Sequence, residues 1–172
     1  MARGVITLTQ GGFEGWIDEL EQLVEKMPEM TLKALKARQE VIEAQIRENW
    51  VARGGSYGGF VYDSVGQSAT YSKINPVDVV GTIGVYDIDS VKSAHGKTNK
   101  DLNAAQIAYW VEYGTSRLKA GGRKLKGVEY SDEQLITVMP QPFITQAFYQ
   151  TIDEQDVAFK RVFNSEYDQV VK

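Results

Sequence analysis

Residues 29–50, EMTLKALKARQEVIEAQIRENW, restrict the fold more than any other part of the chain. At 100° per residue, Ala34, Ala37 and Val41 fall on one flank of a helix and Leu35, Ile42 and Ile46 on the other. Arg38, Gln45 and Asn49 lie between the flanks. Lys36, Glu40, Glu43 and Arg47 occupy the far side, where Lys36 with Glu40 and Glu43 with Arg47 have the four-residue spacing of helical ion pairs. An arc this wide fits a core helix whose polar residues reach the rim. It also fits a helix touching two apolar surfaces, its own core and a neighbouring subunit, across a satisfied polar seam.

The rest of the chain is read around that helix. Residues 5–9, rich in β-branched side chains, read as a short strand or extended arm that Gly11-Gly12 is expected to break. Trp16, Ile17, Leu20, Leu23 and Val24 recur at helical spacing, so residues 13–26 are expected to form a separate helix stopped before Pro28. Residues 68–71 and 77–88 read as strands, with Gly81 and Gly84 marking a bulge or a close backbone approach. Asp101 is the expected cap of an apolar helix that ends at Tyr113, with Gly114 as its stop. Residues 134–139 form another expected strand. Ile144, Phe148, Ile152, Phe159, Val162 and Phe163 then support one long helix over 143–167, entered at Pro142 and kinked or frayed near 153–156. The expected fold class is α+β: a small, mostly antiparallel sheet packed with two N-terminal helices, a central helix and a long C-terminal helix. With 172 residues, a single domain over 1–172 is expected, with flexible loops near 51–67 and 115–127.

Composition removes many chemistries. There is no cysteine and the one histidine is His95, so thiolate catalysis, cysteine-ligated zinc and two-histidine metal motifs are excluded. Carboxylates remain, with Glu112 and Asp87 as the bases an enzyme could use, but they form no recognisable motif; no catalysis, metal or cofactor is expected. The formal charge of −4 argues against general nucleic-acid binding. No apolar run is long enough to span a bilayer and residues 1–10 lack a signal-peptide core, so synthesis and folding in a cytoplasm, away from membranes, are expected.

Two stretches stand out. Residues 51–67, VARGGSYGGFVYDSVGQ, place Tyr57, Phe60 and Tyr62 among glycines without a nucleotide-loop pattern, and are expected to be a mobile loop that orders on a partner. Residues 109–126, YWVEYGTSRLKAGGRKLK, run from an aromatic helix end into Arg117, Lys119, Arg123, Lys124 and Lys126. Glu112 sits where the macrodipole disfavours a negative charge, so something must offset it. The options are solvent, a local pair with Arg117, or a basic residue across a subunit boundary, with Trp110 and Tyr113 as the apolar anchor.

The order of motifs resembles a known family. Ala108-Tyr-Trp-Val-Glu-Tyr-Gly-Thr, a polar loop, then Met139-Pro-Gln-Pro-Phe-Ile-Thr-Gln-Ala-Phe opening the last helix, are similar to the head-tail joining or tail-completion proteins of long-tailed bacteriophages. Lys33-Ala-Leu-Lys-Ala and the glycine-rich loop before Asp63-Ser-Val add to the likeness, which covers roughly residues 13–152. The connection from Gly114 to Pro140 is longer and more basic than the family's short loop, and the chain runs twenty residues past Ile152.

The resemblance implies a virion protein of the tail neck, forming a homo-oligomeric ring, expected to be a hexamer, that joins the tail to the capsid connector. Trp110, Glu112, Tyr113, Gly114, Thr115, Pro142 and Phe143 would line a subunit or partner interface. Its neighbours would be tail tube, terminator or connector proteins. Repeated around a ring, the basic loop makes a positive collar that docks on an acidic ring or faces DNA in the lumen; docking is favoured, because DNA must leave quickly. The alternatives are a tail terminator capping the tube and, from another class, a nucleic-acid-binding regulator using residues 117–126.

Overall fold

A computed structural model describes residues 10–54, 59–88, 91, 103–119 and 135–171. The first element, α1 (Gln10–Ala52), is one continuous helix of 43 residues, about 65 Å long at 1.5 Å per residue. This corrects the two expected N-terminal helices, because Pro28 lies inside the helix. Proline removes one intrahelical bond and crowds the preceding turn, at a cost of about 3 kcal/mol. Residues 29–50 are anchored by packing, however, and a helix that is already nucleated propagates far more easily than it starts. Pro28 lies near a change of environment. Residues 15–22 and 24–27 are exposed, whereas burial begins at Met30.

Beyond Met30, α1 does touch two surfaces, and both belong to its own chain. On one side lies an antiparallel hairpin, β1 (Val65–Tyr71) with β2 (Val79–Val85), in unbroken register from Val65 opposite Val85 to Tyr71 opposite Val79. Gln39 Nε2 donates to Ser68 O at 3.1 Å and Thr82 O at 2.9 Å, so one buried amide from the helix spans both strands. Gly81 permits this approach, since a Cβ there would stand 2.7 Å from Gln39 Nε2 and 2.9 Å from Leu35 Cδ2. The close approach expected at Gly81 is present; at Gly84 a Cβ would meet nothing within 4 Å.

On the other side lie α4 (Ile144–Gln150) and α5 (Ile152–Val170). The expected single C-terminal helix breaks at Thr151, just ahead of the acidic run. Thr151 Oγ1 donates to Ala147 O at 2.8 Å, and the buried Gln155 donates to Phe148 O and to Thr151 Oγ1. Arg38 Nε reaches Gln155 Oε1 at 3.2 Å, and Lys33 pairs with Glu166 at 2.7 Å. Arg38, from the polar seam of α1, thus finds its partner within the chain.

The core joins Ile42, Ile46 and Trp50 of α1 to Phe60 and Val61 of the short helix α2 (Phe60–Asp63), Val65 of β1, α3 (Ala104–Tyr113), Phe143 and Ala147. Phe60 is 0% exposed, which corrects its reading as part of a mobile loop: Gly59, at φ 83°, turns the chain so that Phe60 and Val61 enter the core. Tyr62 lies at the surface with the Arg47 guanidinium 5.5 Å from its ring centre, and Tyr57 lies outside the described residues.

A second antiparallel pair joins β3 (Thr115–Lys119) to β4 (Leu135–Val138), with an irregular register between Thr115 and Leu118. Arg117 and Lys119 therefore lie on a strand, not in a loop. Arg123, Lys124 and Lys126, like Asp101, lie outside the described residues. The architecture is α+β, and every strand pairing among the described residues is antiparallel.

Candidate functional site

The two stretches that carry the family resemblance meet at one junction. Helix α3 is capped by Asn103, whose Oδ1 accepts from Gln106 N–H at 2.9 Å, in place of the expected Asp101; Asn103 Nδ2 in turn donates to Asp87 at 3.1 Å. The helix stops at Gly114, as expected; φ there is 73°, a conformation glycine adopts without a side-chain clash. Glu112 is therefore held in the last turn of a short helix, pointing inward, and is only 4% exposed.

Its carboxylate faces the start of α4. Oε2 accepts from Phe143 N–H at 2.7 Å and Ile144 N–H at 2.9 Å, and Oε1 accepts from Thr145 N–H at 2.8 Å. No side chain of α4's own N-cap residue, Phe143, does this work. The first N–H groups of a helix lack intrahelical partners, and here a carboxylate from 31 residues earlier satisfies them. Gln141 N–H adds a bond to Val111 O at 2.8 Å.

Helix α1 closes the junction from below. Asn49 Nδ2 donates to Phe143 O at 3.1 Å and to Gln150 Oε1 at 3.0 Å, while Gln45 donates to Asn49 Oδ1. Arg53 donates to Gln141 O, to Pro142 O and to Gln146 Oε1, and its guanidinium lies 5.7 Å from the Phe143 ring centre. The Phe143 ring itself meets Trp50, with centres 5.0 Å apart.

Burial acts on both charges. It pushes the Glu112 carboxyl up, but the Thr145 side chain and the three backbone N–H groups together outweigh it and leave the pKa below its usual value. Burial lowers the Arg53 guanidinium, and the nearby Glu112 charge works against that. A carboxylate held ionised by three donors is poorly suited to act as a general base.

Of the expected interface residues, Glu112 and Phe143 are buried inside the chain, which corrects the idea that Glu112 meets its partner across a subunit boundary. Pro142 and Tyr113 are exposed, and Trp110 is half-buried. Tyr113 pairs with Tyr109, with ring centres 4.9 Å apart, beside a groove of about 180 Å³ that reaches Val85 and Ile144. Gly114 ends α3 and Thr115 opens β3. Sequence periodicity does not single out Arg53 and Asn49 as junction residues; the four-residue spacing from Gln45 to Asn49 on α1, continued to Arg53 in the turn just past its end, is the signal that could have grouped them.

Among the described residues, no group of acidic or histidine side chains is arranged to hold a metal ion, and no helix is long and apolar enough to cross a membrane. Comparison with known proteins finds no matching family model, curated protein or solved structure.

Proposed function

We propose that this chain is a structural, non-catalytic protein of a long-tailed phage neck, assembling as a ring that completes the tail and joins it to the capsid connector. The observation that carries the reading is the Glu112–Phe143 junction. The two motifs on which the resemblance rests lie 31 residues apart in sequence, yet one carboxylate binds them into a single unit. That gives both motifs one physical reason to occur together.

The exposed half of α1 supports an assembly role. Ile17, Leu20, Val24 and Met27 are exposed along it, interleaved with Asp18, Glu19, Glu21 and Glu25. An apolar row rimmed by charge suits a protein partner better than solvent. Within this reading the basic stretch 117–126 docks on an acidic neighbour, with Arg117 and Lys119 at its start.

Cryo-electron microscopy of intact particles from the source tests the proposal. A ring of this chain at the head-proximal end of the tail is expected. Absence of the chain from purified particles would overturn the virion role.

A further inference from the structure

The β1–β2 hairpin ends in a turn that is tightly bonded. Ser72 N–H donates to Asp78 O at 2.7 Å, and Asp78 N–H donates to Asn75 O at 3.0 Å. Ser72 Oγ accepts from the N–H groups of Ile74 and Asn75, and Asn75 Oδ1 accepts from Val77 N–H. On this frame Ile74 is 97% exposed and Val77 61%, flanked by Lys73 and Asp78. One exposed apolar side chain is ordinary. A pair on a pre-ordered tip is better suited to binding, because little further ordering is needed when a partner arrives.

A matching surface lies elsewhere on the chain. Between α1 and α5 runs an open groove of about 450 Å³ with Val41, Val157 and Ala158 as its apolar floor. Asp153 and Glu154 line one end and Arg161 the other, about 12 Å apart along the helix. The ion pairs among the described residues join Lys33 to Glu29 and Glu166, and Arg47 to Glu43; none engages Lys73, Asp78, Asp153, Glu154 or Arg161. A second groove, beside Tyr62, is slightly larger at about 510 Å³. Its cation is committed, because Arg47 binds Glu43, Val65 O and the Tyr62 ring. Charge therefore selects the α1–α5 groove.

We infer that the hairpin tip of one copy docks in the α1–α5 groove of the next, with Ile74 and Val77 on the Val41, Val157 and Ala158 floor. Lys73 meets Asp153 and Glu154, and Asp78 meets Arg161. Tip and groove are different patches of the same chain, so the contact is head-to-tail, and it closes into a ring when the rotation between copies allows. The inference rests on the ring-assembly reading and names its interface. So small a contact holds two copies weakly and gains from closure, where every copy is held at both its tip and its groove.

The chain has no cysteine, which makes disulfide trapping clean. Ile74→Cys and Val157→Cys are introduced singly and together into the full chain, and the purified proteins are oxidised mildly. The double variant is expected to give a ladder of covalent multimers that ends at the ring number. A mixture of the single variants should give heterodimer well above either alone. Lys73→Glu, added to the Ile74→Cys partner, should slow trapping about threefold, and Glu154→Lys on the Val157→Cys partner should restore it. No ladder, or no charge-swap rescue, overturns the docking. Native mass spectrometry of the unmodified chain separates the two readings: rings without a ladder overturn this contact and leave ring assembly standing. A ladder from a chain that is absent from particles would instead overturn the neck role and leave the contact.

Discussion

The carboxylate of Glu112, in the last turn of α3, accepts the backbone N–H of Phe143 at 2.7 Å and so caps a helix to which it is not adjacent in sequence. A negative charge at a helix C-terminus is unfavourable by itself, and the N-terminus of α4 supplies the compensating partial positive charge. The same contact ties the end of α3 to the start of α4.

Removing that carboxylate should therefore cost more than a surface substitution. Glu112→Ala leaves the N–H groups of Phe143, Ile144 and Thr145 without their acceptor, and we expect a loss of about 3 kcal/mol. Urea unfolding measures it. A change below about 0.5 kcal/mol, the range of neutral surface substitutions, would mean the cap is not what holds α4.

Acid should act through the same group. The folded pKa of Glu112 lies below its ordinary value of 4.5, so its contribution is fully present above that value and is lost as pH falls through the depressed folded pKa. Stability of the natural chain should thus fall more steeply below pH 4.5 than that of Glu112→Gln, which has no proton to take up there. Parallel unfolding curves for the two proteins from neutral to acid pH would contradict this.

Gly81 and Gly84 should differ in their response to alanine. A Cβ at Gly81 pushes into Gln39, whose amide is pinned by Ser68 and Thr82, so Gly81→Ala should destabilise by about 1–3 kcal/mol. Gly84→Ala meets open space and should stay within about 0.5 kcal/mol of the parent. Thermal melts of the two variants, side by side, give the comparison.

Pro28→Ala should strengthen the arm without changing the core. It restores a missing helical bond in a stretch flanked by exposed residues, so amide exchange over residues 20–30 should slow while the global unfolding midpoint barely moves. A large rise in the midpoint would show that the arm is coupled to the core.

Much of the local structure follows from residue order alone. Helical spacing in 29–50, the strand pattern around Gly81 and the stop at Gly114 are short-range signals, set by side-chain periodicity and backbone freedom within a few residues. The α+β class follows from them, as does the two-sided character of α1. Tertiary structure decided the rest. Pro28 sits within one helix because packing after Met30 anchors it, and Phe60 is core because Gly59 turns it inward. The two surfaces of α1 are its own hairpin and its own C-terminal helices. Glu112 finds three N–H groups 31 to 33 residues away, and no local pattern encodes a partner at that distance. Such pairings depend on how already formed elements pack together, and sequence periodicity carries no record of that.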